Sequence, residues 1–406
     1  MHPIHLLPNG IKLVHKQIDA PISHFGILIN AGTRDESVHN EGLAHFVEHT
    51  IFKGTQKRNA GQVIRYMENV GGELNASTSK EETYFHASFL SSDTERAIEL
   101  LSDIFFNSTF PEKELIKEKD VILEEINYYN DSPAELIFDE FETLIYNGHP
   151  LGKNILGTKK SIKKFKRDDI LQFIESNYRS ENIVLSYVGQ YSEAKILKWC
   201  LKYFGHQPLT SSNRKREPFT QYIPQELVKK KNTSQAHVVM GNIAYSLTHE
   251  KRYPLLLLTN LLGGPGLNTR LNQAIREKKG LAYTVEASYN PFSDSGLFTI
   301  YVGCDMNMVQ KCLDITYKEL AKLREQKLGT LQLQYAKKQF LGQMAIANES
   351  KLNEMLSLGR SALFFNEIET LEEAIASFEA IQSSTLLDVA NEILIPDQFT
   401  MLTYCK

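Results

Sequence analysis

The sequence predicts an α+β protein of two tandem homologous αβ domains, each a mainly antiparallel sheet packed with helices. Three observations predict it. Short alternating apolar runs, the signature of half-buried strands, are interleaved with helical patterns. The series then restarts past the middle of the chain, where SQAHVVMGNIAY resembles the earlier ISHFGILINAG. Finally, 406 residues with 42% hydrophobic content exceed what one core ordinarily holds, so two domains of roughly 200 residues are expected.

The elements follow in order. Ile22 to Ala31 and Thr83 to Leu90 alternate as strands. Ala60 to Val70 places Val63, Ile64, Met67 and Val70 on one helical stripe before Gly71 and Gly72 stop it, and Pro111 opens a long helix through about Tyr129. A second αβ set runs through Val188. From His206 to Pro224 the composition shifts to Gln, Pro, Ser, Asn, Lys and Arg, as in an exposed connection. This sets a first domain at 1–207, a linker at 208–222 and a second domain at 223–406. The second domain repeats the pattern with a strand at Ala236 to Ile243, a helix from about Tyr253 to Gly263-Gly264, and a strand at Leu297 to Val302. The helix ending at Gly54 corresponds to the one ending at Gly264.

A net charge of -4 with 23% charged residues gives no electrostatic reason to bind nucleic acid or an anionic membrane. The basic runs at Lys159 to Arg167, Arg214 to Arg216 and Lys229 to Lys231 read as solvated faces. Cys200, Cys304, Cys312 and Cys405 are far apart without CxxC spacing, which fits reduced thiols in a cytosol. The N-terminus MHPIHLLPNGIKLVHKQ lacks a basic stretch followed by an apolar one, and the first arginine is Arg34, so no leader peptide is read there. The apolar run around Leu255 is core-sized rather than membrane-spanning. A soluble, cytoplasmic protein is expected.

Chemistry concentrates in EGLAHFVEHTIF. Histidines four apart on a helix project from one face with Cβ atoms ~5–6 Å apart, close enough to share a tetrahedral zinc. Between them Glu48 can act on a metal-held water without ligating, the HxxEH arrangement. A catalytic zinc wants a third protein ligand and an open position. Projected at 100° per residue, Leu115, Glu118, Val121, Ile122, Glu125 and Ile126 share one side of the helix after Pro111. Carboxylates in an apolar stripe are costly unless compensated, and a metal would compensate Glu125. Glu124 points about 100° away and reads as solvated. The bland alternative is a wide helix whose glutamates reach the edge. A shift of 210 sets Leu255, Leu258 and Thr259 opposite His45, Glu48 and His49, and Thr330 to Asn348 contains no Asp or Glu, so the second copy has no metal site. His86, His149 and His237 have no partner at ligand spacing and read as structural.

The segments GLAHFVEHTIFKGT, GGELNASTSKEETYF, EKDVILEEI, GHPLGKNILGT and GLNTRLNQAIREKKGLAYTV, spread over both halves, resemble the pitrilysin/insulinase metallopeptidases, which include the mitochondrial processing peptidase and compact bacterial peptidases. The resemblance implies His45, His49 and Glu125 as zinc ligands, one zinc per chain, Glu48 as general base and Glu118 as a supporting glutamate. It implies that Asn75, Ala76, Ser77 and Thr78 hold substrate backbone along a strand edge, a form of β-augmentation. It also implies that Arg276 and Tyr283 face the zinc from a second-copy domain, the phenol donating to the oxyanion as it forms and the guanidinium anchoring a substrate carbonyl. By pattern alone that pair is unremarkable.

The expected activity is hydrolysis of extended or unfolded peptides inside a clamshell chamber, with Glu48 taking a proton from water and returning it to the leaving amine. A homodimer is expected, in which Arg276 and Tyr283 of one chain serve the zinc of the other, with a related, separately encoded subunit as the alternative. The rival class is a non-catalytic peptide-binding or partner subunit on the same scaffold. Such members typically lack a ligand or the base, and this sequence carries all four residues.

Overall fold

A computed structural model describes residues 3–207 and 215–406. Residues 208–214 of the expected linker lie outside the described residues. Among the described residues, eleven strands form two sheets. The first contains β1 (His5–Leu6), β2 (Lys12–Gln17), β3 (Ile22–Ile29), β4 (Glu73–Thr78), β5 (Thr83–Leu90) and β6 (Ile183–Gly189) in the order β1-β2-β6-β3-β5-β4. The second contains β7 (Glu226–Lys230), β8 (Ala236–Ile243), β9 (Ala282–Pro291), β10 (Gly296–Cys304) and β11 (Thr400–Cys405) in the order β7-β11-β8-β10-β9.

These orders superpose strand for strand once β1 is set aside. β2 and β6 pair in parallel, as do β7 and β11, and the remaining neighbours are antiparallel in both sheets. The internal repeat read from the sequence is thus a repeat of topology, and β3 and β8, the two similar segments, hold the same place in their sheets. One detail differs. The helix expected to end at Gly54 runs only from Leu43 to Thr50, and turns carry the chain on to Gly54, whereas its counterpart spans Arg252–Gly263.

The chain folds into two compact units that exchange segments. One comprises Met1–Asn127, Lys153–Arg216 and Ile346–Thr370, the other Tyr128–Gly152, Glu217–Ala345 and Leu371–Lys406. They depart from the contiguous ranges 1–207 and 223–406, because each half contributes one helix to the other half's sheet. In the first unit the helix Lys351–Phe364 packs on β2, β3 and β6, where Met355, Leu358 and Ala362 meet Val14, Leu28, Val184 and Val188. Two glycines permit this approach. A Cβ on Gly359 would meet Leu28 at 2.6 Å, and one on Gly26 would meet the Met355 sulfur at 2.9 Å.

In the second unit, Pro133 at the first position opens the helix Pro133–Ile145. This helix buries Ile137 and Phe141 against Val239, Tyr301, Leu402 and Tyr404. The alternating residues Val238 and Met240 of β8 face the opposite core. A hydrophobic period tells which face of a helix is buried, but not which sheet buries it.

No helix among the described residues is long and apolar enough to cross a membrane. All four cysteines are free thiols.

Candidate metal centre

The Leu43–Thr50 helix buries Leu43, Phe46 and Val47, which leaves the histidine face toward the helix Glu112–Asn130. Its start is backbone against backbone. Gly42 has φ +89°, and a Cβ there would lie 2.7 Å from both the Leu156 carbonyl oxygen and the Gly157 Cα. Glycine is therefore required for its dihedral and for its size. The GHPLGKNILGT segment thus serves as a buttress for this helix.

The rings of His45 and His49 lie 4.4 Å apart. Glu125 Oε2 is 3.8 Å from His45 Nε2 and 3.5 Å from His49 Nε2. Among the described residues these three side chains form the group able to hold a metal, with ligand atoms all within 4.8 Å of one another. Zinc bonds of ~2.0–2.1 Å in a tetrahedron place ligand atoms about 3.3 Å apart, so small side-chain shifts complete the coordination. Glu125 Oε2 is buried without a hydrogen-bond partner, which is costly unless a cation compensates it. Two imidazoles and a carboxylate suit zinc.

A second layer orients the first. His49 Nδ1 donates to Glu118 Oε1 at 3.0 Å, which leaves Nε2 with the free lone pair. Lys53 Nζ lies 2.7 Å from Glu118 Oε2. Lys53 escaped the sequence analysis: it stands beyond the end of the helix, in the turns that follow Thr50, so no helical spacing ties it to His49.

The electrostatics describe a cluster short of positive charge. Burial pushes the Glu125 carboxyl up against the pull of His49. Burial likewise raises Glu48, opposed by the nearness of Thr78 and by the charge of His49. Glu118 lies below the usual range, because its bonds to His49 and Lys53 outweigh its burial. Burial and then the neighbouring His49 lower His45 to about 3. For His49, burial works downward, but Glu118 and the charges of Glu125 and Glu48 raise it on balance. A divalent cation favours unprotonated imidazoles and ionised carboxylates at such a place.

Glu124 is exposed, as projected, and Glu118 is buried. Val121 is not in the buried stripe. It is 51% exposed, because the face covered by neighbouring elements is narrower than the projection and follows Leu115, Glu118, Ile122 and Ile126. Asn75, Ala76, Ser77 and Thr78 lie on β4, which ends the order of its sheet and pairs with β5 on one side. The helix of His45 packs on β4, bringing Thr78 to Glu48.

Arg276 and Tyr283 belong to the second unit, the metal group to the first. Arg276 lies in the last turn of a π-helical segment, Asn272–Glu277. Tyr283 is the second residue of β9, is 62% exposed, and donates to Asp305 Oδ1 at 3.4 Å. His237 bonds Tyr301 and Thr233, and His149 bonds the Glu217 carbonyl, so both are structural. Leu255, Leu258 and Thr259 are buried in the Arg252–Gly263 helix.

Two family models match the chain. That of the insulinase family, peptidase family M16, covers residues 12–159, and that of the peptidase M16 inactive domain covers 164–340. The chain belongs to peptidase family M16. The first M16 model contains His45, His49 and Glu125, and the one called inactive covers Leu255, Leu258 and Thr259, none of which is a zinc ligand type. The uncharacterized zinc protease YmxG of Bacillus subtilis is 33% identical over 391 residues, 96% of this chain and 95% of that protein. An uncharacterized zinc protease of Rickettsia bellii is 32% identical over 389 residues, 95% of this chain and 93% of its own. The crystal structure of a protease from Helicobacter pylori shares the M16 fold with a TM-score of 0.91 at 23% identity, over 100% of this chain and 99% of that one.

Proposed function

We propose that this M16 chain is a zinc endopeptidase that hydrolyses extended or unfolded peptides. One observation carries the reading: His45 Nε2, His49 Nε2 and the unpartnered Glu125 Oε2 converge beside Glu48. A zinc ion there would supply Lewis acidity to a scissile carbonyl and acidify water. Glu48, on the helix that packs against β4, is the base that takes the proton of the attacking water and returns it to the leaving amine. Glu118 holds the His49 tautomer. Asn75 to Thr78 on the open edge of β4 take a substrate strand through main-chain hydrogen bonds, which selects for an unfolded backbone.

The working form is a homodimer in which the exposed Tyr283 of one chain donates to the oxyanion formed at the other chain's site, while the exposed Arg276 of the same chain anchors a substrate carbonyl there. Digestion of a mixed peptide pool, read by mass spectrometry, tests the activity. Glu48→Gln is expected to keep zinc and lose cleavage by at least about 100-fold. Equal cleavage by this variant, or by chelated wild type, would refute the proposal. Mixing inactive Glu48→Gln chains with inactive Tyr283→Phe chains is expected to restore activity at one site per mixed dimer. If every mixed dimer stays dead, the arrangement between chains is wrong.

A further inference from the structure

We propose that Glu36, nine residues before His45, is a positioning residue of the metal site that sets the placement of the helix carrying His45 and His49. The inference rests on the zinc reading above. The Leu43–Thr50 helix is a short element with demanding work. It has eight residues, no acidic residue in its first turn, and a glycine N-cap that cannot contribute a side-chain bond. Its first amide groups need acceptors from elsewhere. Glu36 supplies two of them. Its Oε2 accepts from the Gly42 N–H at 3.0 Å and its Oε1 from the Ala44 N–H at 2.8 Å, while the Asn40 carbonyl takes the Leu43 N–H at 3.1 Å.

This is an expensive way to cap a helix. The Glu36 side chain is 7% exposed, and burial pushes its carboxyl up to about 8 although both amide bonds pull it down. Lys153 lends positive charge and Glu41 opposes it. A serine or asparagine at the N-cap position would bond the first turn without burying a carboxyl group. Position 42 is closed to any side chain by Gly157 and Leu156. The acceptor must therefore come from a distance.

Two oxygens bonding amides two residues apart fix the helix in translation and in rotation, where a single bond would leave it a swivel. Ala44 is covalently next to His45, so a displacement at this amide passes directly to the first ligand. Metal sites tolerate errors of only about 0.2 Å in ligand distance.

The test uses the full chain and measures zinc affinity of the metal-free folded protein by chelator competition, with the visible spectrum of the cobalt form as a second readout. Glu36→Gln keeps the size but turns an NH2 group toward one of the amides. It is expected to weaken zinc binding by about 10–100-fold, the range for groups that orient ligands, and to change the cobalt spectrum. A role in stability alone would lower the melting temperature and leave zinc affinity of the folded protein unchanged. Should Glu36→Gln fail to fold, Glu36→Asp carries the test, since it keeps the carboxyl group but withdraws it by one methylene. Wild type binding zinc beside a folded variant within threefold of it overturns this role alone. Wild type binding no zinc would overturn the zinc reading as well.

Discussion

Cutting the chain at the linker is expected to destroy the first unit rather than release it. A fragment of residues 1–207 retains all six strands of the first sheet but lacks the helix Lys351–Phe364. That helix buries Met355, Leu356, Leu358 and Leu363. At ~1.5–3 kcal/mol for each fully buried large apolar side chain, these four contribute about 6–12 kcal/mol. Val14, Leu28, Val184 and Val188 lose their cover as well. Domains of this size are stable by only ~5–15 kcal/mol in all, so the loss is of the order of the whole. The fragment would also carry the Pro133–Ile145 helix with Ile137 and Phe141 stripped of their core. Near-ultraviolet circular dichroism and thermal melting of 1–207, alone and with a peptide of residues 346–370, check this. Loss of the cooperative transition, and its return with the peptide, are expected. In the intact chain, Met355→Ala should cost ~2–5 kcal/mol. A fragment that melts cooperatively alone, indifferent to the peptide, would refute the argument.

Other outcomes follow from named atoms. Glu125→Gln should weaken zinc binding at least tenfold, whereas Glu124→Gln, on the exposed face, should leave it unchanged; elemental analysis and chelator competition distinguish them, and the reverse result would reassign the ligand. Gly157→Ala should destabilise the protein by at least about 2 kcal/mol in thermal unfolding, because φ is +70° and the new Cβ would meet the Glu41 carbonyl oxygen at 2.3 Å. Burial, with a smaller contribution from His24, lowers His86 to about 4. Its unfolded value is near 6.5, so its stabilising effect is complete above pH 6.5 and is lost as pH falls toward 4, up to about 3 kcal/mol. In the metal-free protein, His86→Leu should flatten stability against pH over that window, and an unchanged slope would contradict it.

The sequence by itself determined the elements and the donor set. Spacing alone placed His45, His49 and Glu48, since i,i+4 positions on a helix need no tertiary information to share a face. The projection also separated Glu125 from Glu124, and period 2 gave Thr83–Leu90 and Ala236–Ile243 to the residue. Its one misplaced member in the long helix was Val121. Periodicity states that a face is apolar, while packing decides how wide a face is covered. Only the tertiary structure decided which partner meets each face. The exchange of Pro133–Ile145 and Lys351–Phe364 between the units has no periodic signature, because an amphipathic helix reads the same whichever sheet it covers. The same holds for Lys53 on Glu118 and Glu36 on the amides of Gly42 and Ala44. Each is a polar contact across sequence distance, visible only when the chain has brought charge and partner together and removed the water between them.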